Sequence, residues 1–335
     1  MSVPVASLVR TRRAAAIGAG LTLAGLVAST AIASEPIAPR SGEPVEPESR
    51  PRLVQADGPD MDELGDEPTL LGSADIGIFA EQRPDAQVAS VSPHLDMGIR
   101  PHPSAEVMAG FGVVSTVING PEGKVSTTRA SNMTVAASRV VRWSDDKFRE
   151  AKIGFAFAIP TSIARDDDER LAYEYALGGR GGWNPWEWTP TTLGLVLPAQ
   201  IRAQVWRRLV VGADAGLAGL FPSVDNTAAP SLVAQGAGVA RYVTRWAGVG
   251  VRMSAVYNGQ REGDRSQVAV APFADASLCR RGGRRIQGTF AMATQQCPVY
   301  ATAKFNFNID APFGYTAEDA MRVWGLTLGL GWAVF

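Results

Sequence analysis

The chain has 335 residues, with 32 Lys and Arg against 33 Asp and Glu and only two His and two Cys. A formal charge of −1 excludes a nucleic-acid surface built on a basic excess, and two His leave little for a metal centre. Beyond the N-terminal region no stretch approaches the ~20 apolar residues of a membrane-crossing helix, which excludes an inner-membrane helical protein.

Residues 1–33 read as a secretory signal peptide. Arg10, Arg12 and Arg13 form its basic region, 14–30 carries no charge, and Ala31, Ile32 and Ala33 supply a small-x-small cleavage site. Residues 34–74 are a different material, with ten acidic residues, seven prolines and few large apolar side chains. Such a segment cannot bury enough surface to offset its ordering entropy, so the expectation is a disordered periplasmic lead-in. With both parts set aside, the remaining 75–335 unit holds 26 basic and 23 acidic residues, still too balanced for nucleic acid.

From there the chain advances in steps of two. In 191–205 the odd positions Leu193, Leu195, Leu197, Ala199, Ile201, Ala203 and Val205 are apolar, while Gln200, Arg202 and Gln204 close the other face. Val299, Ala301, Ala303, Phe305 and Phe307 alternate with Tyr300, Thr302, Lys304, Asn306 and Asn308. The chain ends on Trp324, Leu326, Leu328, Leu330, Trp332 and Val334, then Phe335. A period of two places one face of each strand in an apolar medium and the other in a polar one. Repeated along a secreted chain, it predicts an all-β fold, a transmembrane antiparallel β-barrel of the Gram-negative outer membrane.

Short connections at 101–104, 144–149, 206–208 and 244–247 alternate with longer polar ones at 81–90, 119–129, 164–190, 222–230, 258–265 and 310–321. Strands are expected at about 75–80, 91–100, 105–118, 130–143, 150–160, 191–205, 208–221, 231–243, 247–257, 266–278, 298–309 and 322–335. These make about twelve, ten or fourteen being the alternatives; an even number leaves both ends in the periplasm. Trp143, Trp206, Tyr242, Trp246, Tyr257, Trp324 and Trp332 fall at strand ends, where an interfacial girdle belongs. Cys279 and Cys297, an even pair in an oxidising compartment, read as a disulfide.

The segment 93–100, the turn-plus-strand pairs at 207–217 and 245–254, and the terminal Phe resemble the uncharacterised outer-membrane β-barrels of Gram-negative bacteria, the porin-like, MetA-pathway-type barrels. The resemblance covers about 75–335. It implies insertion among outer-membrane lipids by the barrel-assembly machinery, acting on the last strand through Phe335, and it carries no catalytic signature or cofactor. One departure is that Phe335 falls out of phase with the lipid-facing residues from Trp324 to Val334.

Chemistry is sparse. His102 and Ser104 share a Pro-flanked turn with no third partner in view, and His94 is expected beside Asp96 on the inner face. Asp166, Asp167, Asp168 and Glu169 lack the ligand spacing of a calcium loop and read as a solvated charge run. The inward phase collects Asp96, Arg100, Lys152, Gln200, Arg202, Asp214, Arg241, Arg252, Asp275, Lys304 and Asn306 as lumen residues. Its six cations exceed its three acids, which predicts passage or binding of small solutes with a mild anion preference. The alternative is a closed barrel presenting Trp183, Trp186 and Trp188 on an external Gly-rich loop for interaction with sugars, lipid or a partner. Folding of 164–190 into the bore would favour closure. Neither reading calls for catalysis, a metal or a cofactor.

Overall fold

The computed structural model describes residues 69–82, 87–121, 123–144, 148–223, 229–244, 247–259, 265–278, 299–309 and 323–334. The signal region, most of the acidic lead-in, Trp246, the Cys279 and Cys297 pair and Phe335 lie outside the described residues.

The strands are β1 (Thr69–Gln82), β2 (Gln87–His102), β3 (Ala105–Gly120), β4 (Gly123–Ala130), β5 (Met133–Ser144), β6 (Phe148–Ile159), β7 (Thr192–Trp206), β8 (Leu209–Pro222), β9 (Ser231–Val243), β10 (Ala247–Asn258), β11 (Ser266–Ser277), β12 (Val299–Asn308) and β13 (Val323–Val334). Two helices, α1 (Asp167–Gly179) and α2 (Pro185–Trp188), stand between β6 and β7. Neighbouring strands pair antiparallel in chain order, β1 pairs with β13, and the β2–β3 ladder closes the ring. β3 pairs with β5 through Ala105 to Gly110 and with β4 through Val113 to Gly120. β4 and β5 are therefore one stave interrupted at Ser131 and Asn132, and the result is a closed twelve-stranded barrel.

Two expectations are corrected. The first strand is not a short piece starting at 75. It begins at Thr69 and pairs along its length with β2 and β13, so the barrel takes in six residues assigned to the lead-in. The connection expected at 119–129 is largely β4, which extends the β3 hairpin around Gly120 and Gly123. Gly123 has φ 125, a value that favours glycine. The β-branched run Val125, Thr127 and Thr128 suits that strand.

The alternation has its expected cause. Ile76, Leu95, Met97, Ile99, Ile153, Phe155, Leu197, Val249, Val251, Leu328 and Leu330 are exposed on the outer wall. A contiguous apolar surface of this extent is a lipid interface. The chain is an outer-membrane β-barrel, with Trp206 and Trp324 exposed at strand ends as an interfacial girdle requires. Inside, apolar packing is gathered into three clusters, and each includes side chains from the segment between β6 and β7.

Candidate functional site: a plugged bore and its inner chamber

The segment between β6 and β7 turns inward. Asp166 caps α1: its Oδ1 accepts from Glu169 N at 2.9 Å, and Glu169 Oε2 accepts from Arg165 N at 2.6 Å. Asp167, Asp168 and Glu169 then occupy the first turn, where the helix dipole favours negative charge. The acidic run is thus the start of a helix, solvated as expected at Asp166, Asp167 and Asp168, while buried Glu169 pairs with Arg129 at the end of β4. Ala172, Tyr173, Ala176 and Leu177 pack with Val114 and Trp188, and Tyr175 stacks on Phe79 with centroids 5.3 Å apart. Tyr173 Oη donates to Ala130 O at 2.8 Å.

The helix ends against the wall. Asn306 Nδ2 donates to Gly179 O at 2.7 Å, and a Cβ at Gly325 would lie 2.2 Å from the same oxygen. Only a glycine on β13 lets the plug backbone come this close. Arg180 then reaches across, with Nη2 2.6 Å from Asp75 Oδ1 and donating to Ser92 O at 2.6 Å, and its guanidinium 5.1 Å from the Trp188 ring centroid. Gly181 and Gly182 take φ of 68 and 77, which reverses the chain, and Asn184 follows at φ 56. Asn184 N donates to Gln235 Oε1 and Gln235 Nε2 returns a bond to Asn184 Oδ1, both at 3.0 Å. Asn132, at the break between β4 and β5, secures the far end. Its Nδ2 donates to Trp186 O at 2.8 Å and Thr189 O at 2.7 Å, and its Oδ1 accepts from Ser162 Oγ at 2.5 Å.

The three tryptophans are therefore not an external surface. Trp186 and Trp188 are only 5% and 2% exposed, and half-buried Trp183 lies over Arg252, its ring centroid 4.0 Å from the guanidinium carbon. Trp186 inserts among Ala156, Ala158, Val196, Ala218, Leu220, Val233 and Val256, small or branched residues that leave room for an indole. Trp188 sits beside Gly112 and His94. His94 joins wall to plug, its Nδ1 3.5 Å from Asp96 Oδ2 and its Nε2 3.7 Å from Glu187 Oε2. Burial in the plug pushes the Glu187 carboxyl up to about 6.

Asp96, Arg100, Lys152, Gln200, Arg202, Asp214, Arg241, Arg252, Asp275, Lys304 and Asn306 all stand on the inward phase of their strands. Most are paired. Arg100 and Lys152 share Glu106, and Arg142 Nε donates to Glu150 Oε2 at 2.7 Å. Arg202 Nη2 lies 2.6 Å from Asp214 Oδ1, Arg252 Nη2 lies 3.2 Å from Asp214 Oδ2, and Arg241 pairs with Asp275. The six-to-three count is incomplete: Asp75, Glu106 and Glu150 on the wall and Glu187 on the plug add acids, and Arg142 on the wall and Arg180 on the plug add cations, which narrows the excess. Glu106 and Glu150 sit next to tight connections, where the alternation is hard to phase, yet each is in step with the inward residue two positions on, Met108 or Lys152. Arg180 and Glu187 carry no strand period at all. The one available signal is the Asp166 and Glu169 capping pair before Leu171, Tyr173 and Tyr175, which marks a helix inside the presumed loop.

Between the plug and the periplasmic ion pairs the bore keeps a cavity of about 540 Å³, lined among others by Ser73, Asp96, Met108, Gln200, Tyr300 and Lys304. At the periplasmic turn, His102 Nδ1 and Ser104 Oγ are 2.8 Å apart, both accessible, and among the described residues no carboxylate pairs with the ring.

No protein-family model and no curated protein matches the chain. Among solved structures, an outer-membrane channel from Pseudomonas putida F1 is similar at 10% identity and a TM-score of 0.55, over 83% of this chain and 100% of that one. The NanC porin, at 6% identity and a TM-score of 0.42, aligns over 77% and 98% of the two chains. The KdgM porin, at 11% and 0.36, aligns over 77% and 98%. The first of these shows the barrel fold; the lower scores add nothing to it.

Proposed function

We propose that the protein is a passage for small polar solutes that rests closed, its external half stopped by the segment between β6 and β7 and its periplasmic half holding the solute chamber. The observation that carries this reading is the chamber itself. A barrel needed only as a scaffold gains nothing from a void of about 540 Å³ below a plug, lined by charged and apolar groups alike, since unfilled space forfeits packing contacts. The plug is held along its length by polar contacts and by indoles in sockets, none of them a strand-to-strand hydrogen bond of the wall, so it can open as a unit without breaking the wall. Closure also suits a non-conducting interaction barrel, but the tryptophans that would carry the interaction surface are turned inward.

The test is conductance in planar bilayers. Replacing 164–190 by a short Gly-Ser linker should convert a barrel with rare, brief openings into one that conducts continuously. A folded linker variant that conducts no more than the natural chain would remove the passage reading and leave the closed barrel.

A further inference from the structure

Among the described residues the inner chamber contains one cation without an answering acid. Lys304, on β12, lines the cavity, and among the described residues it makes no ion pair and no hydrogen bond. The acids whose charge reaches it are Asp75 and Asp214. Both are already engaged: Asp75 with Arg180 at 2.6 Å, and Asp214 with Arg202 at 2.6 Å, with Arg252 at 3.2 Å and as acceptor from Gln200 Nε2 at 2.9 Å. Two further donors on the same chamber are unused. Arg180 Nε has no acceptor, and Arg252 Nη2, though close to Asp214, makes no aligned hydrogen bond. The charges of Arg252 and Arg180 also bear on Lys304. Three cations thus line one space whose carboxylates, Asp75, Asp96, Glu106, Asp214 and Glu187, are each engaged by other groups. Lys304 is half-buried in the chamber, where an ammonium with less water around it than at the surface gains from an anion or several acceptors. The wall shows how this chain handles the problem elsewhere, placing Glu106 between Arg100 and Lys152 and Asp275 against Arg241. At Lys304 no such partner stands among the described residues.

We propose that the chamber is a binding site for a small organic carboxylate, its headgroup on Lys304 between Arg252 and Arg180. The size fits, since cavities of a few hundred Å³ hold small organic molecules. The flanking Tyr300, Met108 and half-buried Trp183 offer apolar contact to a short body. The site is the solute chamber of the proposed passage and names its substrate class, so it rests on that reading for its purpose but not for its detection.

The test is equilibrium binding of butyrate to the refolded full mature chain in detergent, with butylammonium and butyramide as probes of equal size and different charge. Butyrate should bind saturably and the other two should not. Lys304→Met should weaken butyrate binding by about tenfold or more, the worth of one charge-assisted hydrogen bond, and Lys304→Arg should restore most of it. Absence of butyrate binding, equal binding of butylammonium, or unchanged binding in a folded Lys304→Met protein overturns the assignment. Should Lys304→Met fail to fold, the contrast between probes on the natural chain still decides. Conductance separates the two readings. A linker variant that conducts while the natural chain ignores butyrate removes the carboxylate site alone, whereas butyrate binding with a silent linker variant removes the passage alone.

Discussion

The external and periplasmic halves of the bore are made by the same strands, in the same inward phase, and are filled in opposite ways. On the periplasmic side the wall fills itself with ion pairs, Arg100, Lys152 and Glu106, Arg142 and Glu150, Arg202 and Asp214, Arg241 and Asp275. On the external side the inward residues mix apolar Phe79, Val88, Val114, Ala158, Val196, Leu220, Val233 and Val256 with neutral polar ones such as Ser90, Thr116, Gln235, Gln267, Asn306 and Asn308, and the filling is a piece of chain from elsewhere in the sequence. The apolar patches of that wall need a dry cover, which the plug supplies with Tyr173, Tyr175, Trp186 and Trp188, while its backbone answers the polar wall residues Gln235 and Asn306. A charged inner wall satisfies itself and leaves space over. The chamber lies where the first regime gives way to the second.

The comparison breaks most severely if the periplasmic half is unstitched. Glu106 is 2% exposed and answers two cations, so Glu106→Gln leaves Arg100 and Lys152 without their acid inside the barrel. A loss of about 3–5 kcal/mol is expected, from the general cost of breaking a buried pair. It should be read as a lower urea midpoint for the loss of the folded band on unheated gels, with the plug still resistant to trypsin. An unchanged midpoint would mean these pairs are not what holds this half.

Gly325→Leu attacks the other half. The new side chain has to start where Gly179 O already lies, and overpacking of this kind costs roughly 1–3 kcal/mol when the structure must shift. The part free to shift is the plug, not the hydrogen-bonded wall. The expected outcome is an intact barrel with raised conductance and faster trypsin cleavage at Arg165 and Arg170, both exposed in the plug. Unfolding of the whole barrel at an unchanged cleavage rate would show that plug and wall are a single unit.

The mildest change sharpens the contrast. Asp166→Ala removes the cap of α1, worth about 0.5–2 kcal/mol. It should fray the plug at its outer end and speed cleavage at Arg165 without altering the urea midpoint of the barrel. Equal effects on both would argue against independent halves.

Much of this was legible in the sequence, and the reason lies in the period. A strand between lipid and lumen must alternate, so Leu197 and Ile153 outside and Arg202 and Lys152 inside follow from spacing alone, as do closely placed strands such as β9 and β10. The plug left weaker marks. In β7 the even positions begin as Thr192, Gly194 and Val196 and only then become Gln200 and Arg202, so the polar face of that strand is polar over half its length. Gly325, Thr327 and Gly329 on β13 are likewise small where a lumen residue has room to be large. Such positions say that something approaches the wall, but not what.

The sequence by itself therefore determined the barrel, its location and the in-and-out phase of its strands, because these depend on the contrast between lipid and water, which each short stretch of chain records. Only the tertiary structure decided that 164–190 enters the bore, that Asp75 meets Arg180, Glu106 meets Arg100 and Lys152, Glu150 meets Arg142 and Glu187 lies by His94, and that among the described residues Lys304 is left over. Those are pairings between different strands, or between wall and plug. They depend on which side chains reach the same space once the ring has closed, and no local period encodes that.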